Sequence, residues 1–267
     1  MKTWEAPLSA NAVDTVRWRW PDDMPYPCPS VTSALGIIIP DGLKKWFVNT
    51  DGATVRRVSK TAADRGTRAH ELFENICGKR EIAIPSEFAE ITKAFKEFLS
   101  TVRPEFLYLE KEIIHRLYGF SGRADAIVRV GDRVELWDWK TGRITTETGW
   151  QLGGYILGLR SMGIHIDGMK AIKVDLKLNK IEVYEYEHID FCIAKFLKAL
   201  DDFRGLYFNN LMRGISVPDQ KEKAKIPLSL LTFDTAYHFV DNLPPERKEK
   251  YLASVEEVKA LIDNQKE

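Results

Sequence analysis

Cysteine is scarce: the 267 residues carry three, Cys28, Cys77 and Cys192, widely separated and odd in number. No CxxC pair occurs, which argues against a zinc site or a disulfide framework. Three thiols also fall short of the four that an iron–sulfur cluster ordinarily takes, so no such cluster is expected. Each cysteine reads instead as a small buried hydrophobe. Long apolar runs are missing too. None approaches the about 20 residues that span a bilayer, so no membrane partner is expected. Met1-Lys2-Thr3-Trp4-Glu5 lacks the apolar core of a secretory signal, and a cytoplasmic location is the expectation. A GxxxxGK[ST] loop is absent, which excludes a P-loop motor. Excess charge of either sign is absent as well: 39 basic and 39 acidic residues give a formal net charge of zero. That balance argues against a protein that coats nucleic acid.

What is present suits a globular chain. At 30.6 kDa, with 44% hydrophobic and 29% charged residues, it can bury a full core in one domain with an appendage. Its charge is unevenly spread. From Leu43 to His70 seven bases (Lys44, Lys45, Arg56, Arg57, Lys60, Arg65, Arg68) stand against two acids, Asp51 and Asp64. Such a patch attracts phosphate, although a solvated helical face gives the same pattern.

Residues 1–60 are rich in Pro and Trp and read as an N-terminal extension, with a serine-capped short helix near Ser30. Trp18 and Trp20, flanked by Arg17 and Arg19, suit base stacking or, more simply, core packing. Residues 61–215 carry the core. Apolar spacing predicts helices from Thr61 to Cys77, stopped by Gly78, and from Ser86 to Val102. Strand-length segments follow at Phe106–His115, Gly122–Val130 and Arg133–Trp139, with Gly131-Asp132 as a tight hairpin. A helix over Thr145–Met162, strands over Met169–Leu176 and Ile181–Tyr186, and a helix over Phe191–Leu211 complete the core. This order predicts a mixed sheet flanked by helices, an α/β or α+β layer fold. Residues 216–267 read as a helical extension beyond a Lys221–Lys225 linker, with helices near Leu228–Val240 and from Pro245.

The chemistry concentrates between Asp125 and Lys140. Asp138 and Lys140 are two apart on a strand, so their side chains project from one face. Asp125 comes from the neighbouring strand, inside an apolar stretch where an unpaired carboxylate is costly. Two converging carboxylates make a hard oxygen site, and a lysine beside it can hold a water for attack on phosphorus. A simple Asp138–Lys140 salt bridge is the plainer alternative, with Trp137 and Trp139 on the opposite face.

Further motifs surround this core. Upstream is Arg65-Gly66-Thr67-Arg68-Ala69-His70-Glu71, and downstream Gln151-Leu152-Gly153-Gly154-Tyr155, whose Gln151 and Tyr155 share a helix face. Glu110 precedes the Gly122 hairpin on its strand, and Glu112 is its alternative. In this order the chain resembles the PD-(D/E)XK nuclease superfamily, and within it the RecB-like exonuclease branch, by similarity to the GTxxH and QxxxY motifs of that branch. The resemblance implies a restriction-endonuclease-like sheet with helical N-terminal and C-terminal additions, and a metal-dependent DNA exonuclease of the stand-alone phage type.

It further implies that Asp125 and Asp138, with His70 and the Trp139 carbonyl, bind Mg²⁺, for which Mn²⁺ can substitute. Lys140 would position the attacking water, Gln151 would orient the site, Tyr155 would support the substrate phosphate, and Glu110 would fill the acidic position ahead of Asp125. Lys60, Arg65 and Arg68 are positional choices for phosphate contacts. The implied partner is DNA, single-stranded or with exposed ends; the C-terminal helices are candidates for homo-oligomer assembly or for a recombination partner. Two alternatives stand beside this reading: a structure-specific or restriction-like endonuclease on the same core, and a catalytically silent binding or assembly subunit.

Overall fold

The computed structural model describes residues 2–7, 15–20, 28–38 and 41–212. The expected linker and C-terminal helices lie outside the described residues. The described residues divide into two compact units, one drawn from 2–37, 114–122 and 196–212, the other from 38–113 and 123–195.

A mixed five-stranded sheet has the order β4-β5-β6-β7-β8, from strands Glu105–His115, Phe120–Val130, Arg133–Lys140, Gly168–Asp175 and Lys180–Tyr186. β5 and β6 are antiparallel, closed by Gly131 at φ +59° with Val130 facing Arg133. Glycine takes that left-handed conformation without a Cβ penalty. From β6 the chain crosses through α5 (Thr146–Ser161) to β7, which lies parallel to β6, and β8 returns antiparallel. This is the expected fold class, a mixed sheet flanked by helices.

Alternation along β6 decides which residues face which layer. Trp137 and Trp139, each 1% exposed, join a core with Phe73 and Phe95 from helices α3 (Gly52–Cys77) and α4 (Ala89–Val102). Phe95 meets Trp139 edge-on at 5.2 Å, and Phe73 at 4.4 Å. Deleting one such buried ring costs about 3–5 kcal/mol. A 3₁₀ turn, Ser86–Phe88, leads into α4, which stops where Arg103 turns left-handed at φ 54° before Pro104. Glu135, 2% exposed, is satisfied by Lys170 Nζ at 2.8 Å and by the Trp137 indole N–H at 2.9 Å.

α5 seats against the start of α6 (Ile189–Met212) through glycine. A Cβ on Gly153 would lie 2.6 Å from the Cys192 backbone, and one on Gly149 would lie 2.7 Å from the Tyr186 ring. Thr145 caps α5 through a reciprocal capping box with Thr148.

The N-terminal addition carries strands as well as the expected helix. The first unit holds a three-stranded antiparallel sheet, β1 (Lys2–Pro7), β2 (Thr15–Trp20) and β3 (Cys28–Pro29). The short helix α1 (Val31–Leu35) follows, capped by Ser30 as expected, and α2 (Asp41–Asn49) precedes α3. α3 itself starts at Gly52 rather than Thr61, because the Asp51 carboxylate accepts from Thr54 N–H at 2.9 Å and caps it. All three cysteines are buried and free, and burial pushes the Cys77 thiol up to about 12.

Candidate active site

β6 mounts the chemistry on the face opposite its two tryptophans. Asp138 is 1% exposed, and its Oδ2 lies 2.7 Å from Lys140 Nζ. Beyond that ammonium, Oδ2 has no other polar partner among the described residues. Gln151 on α5 closes the group. Its Nε2 donates to Asp138 Oδ1 at 3.0 Å, and its Oε1 accepts from Lys140 Nζ at 3.0 Å. The two opposite charges fix which way the amide points. Tyr155, one turn further on and 5% exposed, accepts from Gln151 Nε2 at 3.0 Å. Its hydroxyl therefore braces Gln151 from inside the protein.

Asp125 enters from β5. The β5–β6 pairing runs as far as Ala126 opposite Trp137. Beyond it, Trp139 N–H donates to Asp125 Oδ2 at 2.8 Å, so the carboxylate continues the bonding that the ladder leaves off. Burial and the Asp138 charge, with a smaller contribution from Glu110, hold the Asp125 carboxyl well above the usual carboxylate range. For Lys140, burial pulls the ammonium down, but Asp138 and Asp125 outweigh it and leave it above its ordinary value. Lys140 thus stays a cation.

His70 on α3 places Nδ1 3.5 Å from Asp125 Oδ2. Burial lowers its basicity, against the pull of Asp138 and with the help of Lys140 and Arg123, so the ring is held neutral and able to ligate. Glu110 lies on β4 with its backbone left-handed at φ 49°, and its carboxylate meets Arg123 Nε at 2.6 Å. A left-handed residue inside a strand resets the alternation. Glu110 is half-buried toward the site while Glu112 is exposed, which separates two residues that simple alternation puts on one face.

Among the described residues no three His, Cys, Asp or Glu side chains converge as a ready metal cage. Lys140 and Gln151 occupy Asp138, and His70 leans on Asp125. The donors nonetheless fit a small hard dication. A buried and a half-buried carboxylate crowd each other, Asp138 Oδ2 is met by the Lys140 ammonium alone, and a neutral imidazole stands beside them. The side chain of Trp139 is committed to the core, which leaves its backbone to serve the site.

The three phosphate candidates separate. Lys60 is exposed on α3, and Arg65 donates from Nη2 to the Leu176 carbonyl at 3.2 Å. Arg68 turns to Glu87 at 2.7 Å and lies over the Phe88 ring, so its charge is matched. Sequence reasoning missed Arg123, which partners Glu110, and two exposed cations, Arg143 and Lys177. The latter follow the C-terminal ends of the parallel strands β6 and β7, the place where open α/β sheets bind ligands. The βαβ order held that signal.

The family model described as the PD-(D/E)XK nuclease superfamily matches residues 42–223. A comparison with curated proteins finds no match. No helix among the described residues is long and apolar enough to cross a membrane. The match covers well over half of the chain and takes in both Asp-bearing strands, the lysine and the glutamine that joins them; the chain belongs to the PD-(D/E)XK nuclease superfamily, and membership implies a nuclease acting on DNA.

Proposed function

We propose that this chain is a metal-dependent DNA exonuclease of the RecB-like branch, acting in recombination, repair or phage DNA processing. The observation that carries the proposal is the closed Asp138–Lys140–Gln151 group beside Asp125 and His70. A salt bridge kept for stability alone needs neither a half-buried glutamine bonded to both partners nor a second carboxylate whose ionisation is disfavoured.

Asp125 and Asp138 would hold Mg²⁺, or Mn²⁺ in its place, with His70 and the Trp139 carbonyl completing the set. The bound ion would supply charge neutralisation at the scissile phosphate. Lys140 stays protonated, so its part is to donate: it orients the attacking water and offsets negative charge that develops on the phosphoryl oxygens. Gln151 fixes the ammonium against Asp138, and Tyr155 fixes Gln151. Glu110, held by Arg123, keeps a third negative charge close to Asp125.

Linear and covalently closed circular single-stranded DNA, each incubated with Mg²⁺ or with EDTA, test this reading. The expected result is digestion of the linear form alone, abolished by EDTA. Circles cut as fast as linear strands would assign an endonuclease, and neither form cut would leave a silent binding subunit.

A further inference from the structure

A cleft of about 640 Å³ opens beside the proposed active site, between α3, the loop after β6, and the ends of β7 and β8. Its position follows from the topology. β6 and β7 run parallel, with Lys140 and Lys173 in register, and both end at this edge. Along α3, His70, Gly66 and Ala62 are spaced four apart and share one face. At 1.5 Å per residue, the face from His70 to Ala62 covers about 12 Å. Small residues keep it low: a Cβ on Gly66 would already lie 3.2 Å from Thr141 Oγ1.

The cations of the cleft differ in what they already hold. Lys173 is matched by Glu182 at 2.9 Å and Asp175 at 3.4 Å. Arg65 is pinned by the Leu176 carbonyl but has no carboxylate partner among the described residues. Arg143 and Lys177 are exposed, and neither pairs with an acidic side chain among the described residues. They stand on two different loops that flank the same cleft. Tyr184 adds an aromatic wall; its hydroxyl is tied to Glu182 at 3.1 Å and the residue is 39% exposed. Unmatched cations along a groove, with an aromatic surface beside them, are the elements that hold a single nucleic-acid strand without reading its sequence.

We infer that this cleft is the track for one nucleic-acid strand leaving the active site along α3, with Arg143 and Lys177 as its backbone phosphate contacts. The inference rests on the nuclease reading above and extends it to residues that no motif marks. Binding can be measured apart from cleavage, by fluorescence anisotropy of a labelled single-stranded oligonucleotide in EDTA over a series of KCl concentrations. Each phosphate contact to a single strand contributes about 0.7 to the slope of log K against log salt. The Arg143→Ala/Lys177→Ala double variant should therefore show a slope shallower by about 1.4. The charge-matched Lys93→Ala/Lys96→Ala variant, altered on exposed positions of α4, should keep the wild-type slope.

An unchanged slope in the first variant, an equal change in the second, or no binding by the wild type would overturn the inference. So would a loss confined to oligonucleotides bearing a terminal phosphate, since that marks an end pocket rather than a track. A wild type that binds with the expected slope yet cuts nothing with Mg²⁺ would overturn the nuclease reading and leave the track standing.

Discussion

Gly153→Ala adds one methyl group where α5 meets α6, and its consequences can be worked out from distances. The new Cβ would lie 2.6 Å from the Cys192 carbonyl carbon, 2.7 Å from Ile193 N and 2.8 Å from Cys192 O. Those separations are roughly 0.6–0.8 Å short of ordinary contact, and the opposing atoms are backbone, which cannot rotate away. Overpacking of this kind costs about 1–3 kcal/mol. Alanine recovers up to about 1 kcal/mol through helix propensity. The net expectation is a loss of about 1–2 kcal/mol, which lowers Tm by about 2–8 °C for a domain of this size.

Activity should suffer more than stability, because Gly153 lies between Gln151 and Tyr155. A displacement of α5 by a fraction of an ångström loosens the three 3.0 Å bonds that set Lys140 against Asp138. Misplacement on that scale costs on the order of 10–100-fold in rate. Thermal unfolding and initial cleavage rates well below Tm are the assays. Gly205→Ala is the control: it is also helical, but its Cβ meets nothing within 4 Å, so it should raise Tm slightly. If Gly153→Ala behaves like Gly205→Ala, the close seating of the two helices is wrong and so is its part in aligning the site.

Two further outcomes follow from the same physical account. Asp125→Asn keeps an acceptor for Trp139 N–H but removes a charge that burial and Asp138 disfavour. Metal-free Tm should rise by the equivalent of about 0.5–2 kcal/mol, while stabilisation by added Mg²⁺ disappears; a lower Tm with metal stabilisation intact would contradict this. His115, buried against Phe120 and accepting from Tyr118 N–H, is pushed by burial down to about 4 from its ordinary 6.5. Its folded-state pKa is depressed, so its contribution is complete above about pH 6.5 and is lost as pH falls toward 4, on the order of 2–3 kcal/mol. Chemical denaturation across that window should show the loss, and His115→Gln should flatten it; equal slopes in both proteins would refute the assignment.

Much of the site was legible because β6 is short and unambiguous. Tryptophan alternates with Asp138 and Lys140, Gly131-Asp132 marks the hairpin, and Gln151 and Tyr155 sit at helical spacing. The start of α3 was not legible from periodicity, because residues 56–64 are exposed and carry no buried stripe to read. The Asp51–Thr54 cap was the available signal. The N-terminal sheet escaped because β1 and β3 pair with β2 across intervening segments, and pairing of that kind leaves no local mark. Glu110 differs again: its left-handed backbone decides which acid faces the site, and no residue pattern encodes that angle. The cleft depends on two loops and a helix meeting in space, so its cations looked like ordinary surface charge.

The central claim is that Asp125, Asp138, Lys140 and Gln151 form one metal-dependent phosphodiesterase site. It is tested most directly by Mg²⁺-dependent hydrolysis of end-labelled single-stranded DNA by the wild type, Asp138→Asn and Lys140→Met, each first shown to be folded. Wild-type cleavage should be abolished by EDTA, and each variant should cleave at least about 10²–10³-fold more slowly. Cleavage at the wild-type rate by folded Asp138→Asn would contradict it.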